Sequence, residues 1–399
     1  MIVVGSGPAG AALACRLRPR YRVLVFESRR FSSKQTVTAP SGNLSKEAPP
    51  AIGESLPGCA KTLLLRFGLL DRFLADGHAE RTAMVASWDS PESVWFDPLR
   101  DPNGPGWLLD RKRFDASLRA AALAAGAVLT EGCGRLEFNR CDGQWIVSAQ
   151  GHVHRAPVLI DASGRGSCIS RRLGLMRCQD DALHCLSIHL PADVNDQDCT
   201  TRICADHNGW WYCVRLPSGQ RVLAFHLDGD DPELQALRQA PTLLAKARSQ
   251  PLLAEVLPTN KRMEQETSLI LQVHGRPAGS AVLDFAALRV IEGFYAVGDA
   301  AISFDPVASQ GLFHALASAE AVATAIERDV THHPRPRQAY IAELEAVHSR
   351  YRTHLRATYT GPQRFSSNRF WARRSAAPWP HPHLVRSLLH EDDQRWGVD

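Results

Sequence analysis

Apolar and polar positions along the chain follow two rhythms, one of period two and one near 3.6 residues. The places where one gives way to the other divide the sequence. Met1-Ile2-Val3-Val4 is an unbroken apolar run that predicts a buried strand, and an alanine-rich helical stretch follows over residues 11–17. A second strand is expected over 21–26, ending at Glu27. Residues 31–52 are rich in Ser, Thr, Pro and Lys and predict a mobile or ligand-facing loop. Helical spacing returns over 59–74, where Leu63, Leu64, Phe67 and Leu70 share a face. Residues 88–107 carry Trp88, Trp95 and Trp107 among Pro, Asp and Gly, which predicts an extended segment beside a binding surface. A helix starting at Asp110 runs to Gly126, with short strands near 127–130, 135–139, 145–149 and 158–160. Alternating, aromatic runs at 184–190, 210–216 and 222–227 predict a second sheet, with a polar helical stretch at 232–257. Residues 293–297 read as a last strand of the first sheet, before a long helix from Gly311. From His332 the chain is Pro- and Arg-rich, then helical, then irregular over 379–399.

The turn after the first strand is Gly5-Ser-Gly7-Pro8-Ala9-Gly10. Gly5 permits a tight turn, Gly7 lets the main chain approach a pyrophosphate, and Gly10 lets the helix pack on the strand. The free N–H groups of the helix N-terminus, around Pro8 and Ala9, then face the phosphates. Glu27, at the end of the next strand, suits a ribose hydroxyl pair. Strand, glycines, helix, strand and acid in this order predict dinucleotide binding.

At 399 residues, two or three structural units are expected. Hydrophobic residues at 44% against 22% charged fit a soluble globular protein, and a net charge of +4 gives no case for nucleic-acid binding. The fingerprint starts at residue 1, so no leader peptide is expected. No long charge-free apolar run marks a spanning helix, and a cytoplasmic location is expected. Ten cysteines occur without a CxxC pair, so neither a metal site nor a redox motif is expected and free thiols are the default.

Three further features choose between dinucleotides. Asp299, in Val297-Gly298-Asp299-Ala-Ala301, can hold the ribityl chain of a flavin. Downstream, Pro306 and the helix start Gly311-Leu312 can direct N–H groups at the flavin edge. Leu159-Ile-Asp161-Ala-Ser-Gly164 is another strand ending in Asp and small residues, expected near the cofactor, and Arg113 is placed to reach the flavin phosphates or ribityl. The fold class is therefore α/β with an α+β insert. A discontinuous Rossmann-like FAD-binding domain (1–88, 108–175, 285–330) carries an inserted, mainly antiparallel substrate domain (89–107, 176–284). A helical and irregular region, 331–399, follows.

With Gly5-x-Gly7-x-x-Gly10, Asp161-Ala-Ser-Gly164 and Gly298-Asp299 in place, the chain resembles the FAD-dependent monooxygenases of the aromatic-hydroxylase type, over roughly residues 1–330. Ile52-Gly-Glu54-Ser-Leu-Pro57, Gly106-Trp-Leu-Leu-Asp-Arg111 and Gly209-Trp-Trp-Tyr212 are similar to flavoproteins related to tryptophan halogenases. These include the flavoproteins that mature the tryptophylquinone cofactors of bacterial amine dehydrogenases and amino-acid oxidases. The resemblance implies FAD as cofactor and O2 as co-substrate, joined in a C4a-hydroperoxide. It also implies a tryptophan-bearing partner polypeptide as substrate, hydroxylated on its indole.

Halogenases of this type carry a lysine a few tens of residues after the Gly-Glu-Ser-like element. Here Lys61 lies almost at the element and the next lysine is Lys112, so oxygen transfer is expected rather than halogenation. Trp210, Trp211 and Tyr212 are the expected aromatic wall, or else core aromatics of a sheet. Glu54 is the candidate catalytic acid or base, with a structural cap as the competing reading, and His78, His207 and His226 are further candidates. No second Gly-rich fingerprint is present, so electrons come from transiently bound NAD(P)H or from a reductase. The arginines between 350 and 386 suggest a docking face or a solvated helical cap. Other readings are a small-molecule aromatic hydroxylase or halogenase-like enzyme, a flavin-dependent isoprenoid reductase, and a non-catalytic flavoprotein scaffold. Oligomeric state is not legible.

Overall fold

The computed structural model of the protein describes residues 1–31, 52, 55–97, 100–191, 195–257, 271–330 and 335–376. The loop expected over 31–52 lies largely outside these residues, as do Glu54, Trp379 and Arg386.

Ile2 and Val3 are fully buried, as a strand covered on both faces must be. It is the centre of a five-stranded parallel sheet ordered Phe294–Ala296, Leu159–Asp161, Ile2–Val4, Leu24–Glu27, Val128–Glu131. The helix Pro8–Leu17 packs on it beside the long helix Gly311–Val330. Arg16 ties the two together through Glu320 at 3.0 Å and Glu327 at 2.7 Å. Gly5 sits at φ +108, where a Cβ would lie 2.3 Å from the Ala162 carbonyl oxygen. At Gly10 a Cβ would lie 2.0 Å from the Gly5 oxygen. Both glycines are therefore required by the turn itself.

The second sheet has seven strands: His274–Pro277, Leu183–Leu190, Arg221–Asp228, Gly209–Arg215, Thr201–Asp206, Met84–Ser87 and Val94–Phe96. All pairings are antiparallel except that of Thr201–Asp206 with Met84–Ser87. The expected boundary at residue 88 is therefore corrected, because Met84–Ser87 pairs within this sheet. The helical stretch expected over 232–257 is divided into a 3-10 turn, Ala236–Arg238, and two α-helices. Ala240–Arg248 and Pro251–Ala254 each have a proline in the opening turn, a position where the missing N–H has no helical partner to lose.

Register decides what each face of this sheet carries. Arg276, Cys185, His226 and Trp210 form one row across four strands, and His274, Ser187, Ala224 and Tyr212 form the next row on the same face. The intervening residues Leu186, Phe225, Trp211 and Cys204 point the other way, into the core made with Leu243, Leu244 and Leu253.

The described part of the C-terminal region holds two α-helices, Pro336–Thr360 and Arg369–Ala376, with a 3-10 turn at Gln363–Phe365 between them. Of its described arginines Arg374 is buried, whereas Arg356, Arg364, Arg369 and Arg373 are exposed, three of these four with bonds to the neighbouring sheet and its loops. Arg374 pairs with Asp228 at 2.9 Å and Asp181 at 2.7 Å, Arg373 pairs with Asp228 and Asp230, and Arg369 pairs with Asp230. Arg364 reaches the Ser87 carbonyl. Among the described residues, no helix is long and apolar enough to cross a membrane.

Candidate active site

A cavity of about 570 Å³ opens between the carboxyl ends of the parallel strands and the inner face of the seven-stranded sheet. This is where an open parallel sheet binds its ligands, and the volume is that of a ligand site. The parallel-sheet wall carries Gly5, Gly7, Pro8, Ala9, Glu27, Asp299, Pro306, Gly311 and Leu312, nine of the twelve positions expected at the cofactor. A Cβ added at Gly7 or Gly311 would meet no protein atom within 4 Å. The space in front of both backbones is cavity, as a dinucleotide approaching bare main chain requires.

Glu27 is buried and already bonded. Its carboxylate accepts from the Ser6 N–H at 3.0 Å and hydroxyl at 2.8 Å, and from the Arg29 N–H at 3.0 Å. Burial works against its charge, but these donors prevail and hold the carboxyl below the ordinary range. Asp299 behaves in the opposite way. Burial lifts its carboxyl, with Arg165, Arg177 and Arg111 opposing, and Arg165 Nε stands 3.6 Å from Oδ2. A third of the Asp299 side chain still faces the cavity.

Gly10 supports the turn without lining the cavity. Three other expectations are corrected. Asp161 does not face the cavity: its carboxylate accepts from the Ser163 N–H and hydroxyl and from the N–H groups of Ile169 and Ser170, capping the helix Cys168–Arg172. Its neighbours Ala162, Ser163, Gly164 and Arg165 line the cavity instead. Arg113 donates to the Asp76 carbonyl at 2.6 Å, and it is Arg111 of the same helix that lines the cavity. Two positions on a helix lie on nearly opposite sides, so only one of the pair could serve. Trp211 faces the outer core, stacked on Phe225 with its N–H on Asp206.

Trp210 and Tyr212 do line the cavity, joined by His226, Cys185, Arg276, Phe304 and Asp305. His226 lies flat against Trp210, and neither of its ring nitrogens makes a hydrogen bond of normal geometry. Burial pushes its pKa down to about 3, partly opposed by the Trp210 backbone, so the ring is neutral at physiological pH. His78 accepts the Asp110 N–H, and His207 contacts Asp206; both lie outside the cavity lining. Lys61 and Lys112 are exposed, and the described lining contains no lysine. Arg111, Arg165, Arg276 and Asp305 were not singled out as site residues from the sequence. Period-two counting from Trp210 marks the right face of its strand, but the partner strands need the register.

A Rossmann-type sheet, a glycine-lined dinucleotide cavity and an aromatic antiparallel sheet across it define a flavoprotein oxidoreductase, with FAD as cofactor and O2 as the family's oxidant. The chain matches the tryptophan halogenase family over residues 91–391 and an NAD(P)-binding Rossmann-like domain over 3–41. It belongs to the tryptophan halogenase family. LodB of Marinomonas mediterranea, named as an FAD-dependent oxidoreductase, is 26% identical over 386 residues, covering 94% of this chain and 96% of LodB. The fold is shared with CmlS, a flavin-dependent halogenase, at TM-score 0.75 and 19% identity, covering all of this chain and 74% of that one. It is shared also with QhpG, a peptidyl tryptophan dihydroxylase essential for tryptophylquinone cofactor biogenesis. There the TM-score is 0.71 at 24% identity, over 96% of this chain and 79% of QhpG.

Proposed function

We propose that the protein is an FAD-dependent monooxygenase that hydroxylates an indole ring, that of a tryptophan in a partner polypeptide, during tryptophylquinone biogenesis. The observation that carries this reading is the aromatic wall of Tyr212, backed by Trp210, facing the Asp299–Leu312 segment across the cavity. The activity of QhpG supports the choice of a peptidyl tryptophan.

Reduced FAD with O2 supplies an electrophilic oxygen to such a site. The remaining work belongs to the chain. Gly7 and the start of the helix Pro8–Leu17 receive the pyrophosphate, and Glu27 and Asp299 hold the sugar and ribityl hydroxyls. Backbone N–H groups at Gly311 and Leu312 meet developing negative charge at the ring edge. Tyr212, with the buried Trp210 behind it, meets the guest ring and helps to exclude water. In this reading 1–83, 108–175 and 285–330 form the cofactor domain, and the seven-stranded sheet with its outer helices forms the substrate domain. Glu54 stays proposed as an acid or base, on the sequence pattern alone.

The test incubates FAD-loaded protein, a chemical or enzymatic reductant and O2 with a tryptophan-bearing peptide, free tryptophan or indole, with and without chloride or bromide. Mass spectrometry showing oxygen gained on the peptide, independent of halide, is the expected outcome. Halogen incorporation would establish the second reading, halogenation, which membership of the tryptophan halogenase family favours.

A further inference from the structure

The helix Pro336–Thr360 braces the cavity from behind. Tyr340 donates to the Ala296 carbonyl at 2.7 Å, and the Asp305 N–H donates to the Tyr351 oxygen at 2.9 Å. Its last turn reaches the other wall as well. The indole N–H of Trp88 donates to the Thr358 carbonyl at 2.9 Å, and that of Trp210 to the Tyr359 oxygen at 3.1 Å. Tyr359 then donates its own proton to Asp305 Oδ2 at 2.8 Å. One hydroxyl thus joins the substrate-side wall to the loop that leads into Pro306 and Gly311. Trp210, Tyr359 and Asp305 are each at most 2% exposed, and the two outer members, Trp210 and Asp305, line the cavity. A tyrosine has one proton to give. With that proton on the carboxylate, its oxygen is left to accept from Trp210, so the hydrogen-bond chain has a single direction.

We propose that Asp305 and Tyr359 are positioning residues that fix the indole of Trp210, and with it the substrate-side wall, relative to the flavin-facing loop. The inference rests on the flavin reading of the cavity and is independent of which substrate is used. The two walls belong to different sheets, tied where His274–Pro277 runs on into Ala281–Leu283, the partner of Ile302–Ser303, and where Arg165 donates to the Ala278, Gly279 and Phe304 carbonyls. The buried hydrogen-bond chain, with every member satisfied, adds a tie at Trp210 itself.

The groups that face Asp305 set its charge. Burial pushes its carboxyl up to about 7, reinforced by Asp181 from the substrate domain. The Val307 N–H of its own loop, the Tyr359 hydroxyl and Arg374 of the helix Arg369–Ala376 oppose this. Tyr351 meets its backbone N–H. Asp305 therefore changes charge near neutrality, where its state reports on the strength of the Tyr359 bond. Coupling between two groups is reciprocal, so moving Trp210 must move the Asp305 titration.

The experiment is an infrared pH titration of the full-length FAD-loaded protein, with no substrate present. The buried carboxylic-acid band is assigned by its loss in Asp305→Asn. The expected midpoint is about 7 in the unsubstituted protein. In Tyr359→Phe it rises by about one pH unit, because a hydrogen bond to the charged form is lost. In Trp210→Phe it rises by a few tenths, because the hydroxyl loses the donor that polarises it. If the titrating acid band survives in Asp305→Asn, the inference fails. A shift in Tyr359→Phe but none in Trp210→Phe rejects the link between the walls. Trp210→Phe carries the test of the link between the walls; should it not fold, Trp210→Leu, which also lacks the indole N–H, takes its place. Since no product is measured, a negative result here leaves the proposed hydroxylation standing, and the converse also holds.

Discussion

The imidazole of His226 lies flat against the indole of Trp210, with ring centres 3.6 Å apart and planes 7° from parallel. Register puts them side by side on neighbouring strands, and burial keeps the imidazole uncharged. The unfolded chain titrates this histidine near 6.5, whereas the folded one does so near 3. On acidification below about 6.5 the unfolded state takes up the proton first, so stability falls as pH falls towards 3. The rate is about 1.4 kcal/mol per pH unit from this one group. Urea unfolding at pH 6.5 and 4.5 should show a loss smaller by about 2 kcal/mol in His226→Phe than in the unsubstituted protein. Asp305 has the opposite sign. Its folded pKa is raised, so its contribution is lost as pH climbs from about 4 to 7, and Asp305→Asn should steepen the acid loss. Equal slopes in all three proteins would contradict the assignment.

Gly7 and Gly10 should separate binding from folding. A Cβ at Gly7 meets nothing within 4 Å, so Gly7→Ala keeps the fold and loses FAD affinity at least tenfold, because the methyl occupies the pyrophosphate's approach. At Gly10 the same methyl overlaps the Gly5 carbonyl at 2.0 Å, so Gly10→Val yields little folded protein. Circular dichroism with FAD titration distinguishes the two outcomes.

Asp161→Asn should act as a stability variant. Asparagine turns an amide N–H2 towards the donors Ile169 N–H and Ser170 N–H, or leaves Ser163 without its acceptor. A cost of about 1–3 kcal/mol is expected. FAD affinity measured well below the melting point should change by less than about threefold, since the side chain does not line the cavity.

Arg374→Met should destabilise the fold by about 3–5 kcal/mol, because Asp228 and Asp181 lose the cation that balances them inside the protein. Asp305 loses the same opposing charge, so its infrared titration should move up as well. A small thermal shift with an unmoved band would show that the arginine is dispensable.

The parts legible from sequence were those set by local backbone physics. Gly5 and Gly10 are needed because no side chain fits between the first turn, the Ala162 carbonyl and the helix. That constraint is written in residue type and spacing. The strand ending at Glu27 and the strand that leads into Asp299 could be read the same way, as could the alternation that marks Gly209–Arg215 as half-facing the cavity. Trp210 and Tyr212 were legible as candidates too, but not that Trp211 between them would turn to the outer core.

What required the tertiary structure were choices between neighbours and links between distant segments. Arg111 or Arg113 is decided by which side of one helix meets the cavity. Asp161 caps a helix because that helix starts beneath it. His226 joins Trp210 through strand register, and Tyr359 reaches Asp305 across 54 positions of chain. Period and composition carry information over one turn or one pleat. The direction in which a face points, and what lies across from it, depends on long-range packing that no local pattern encodes.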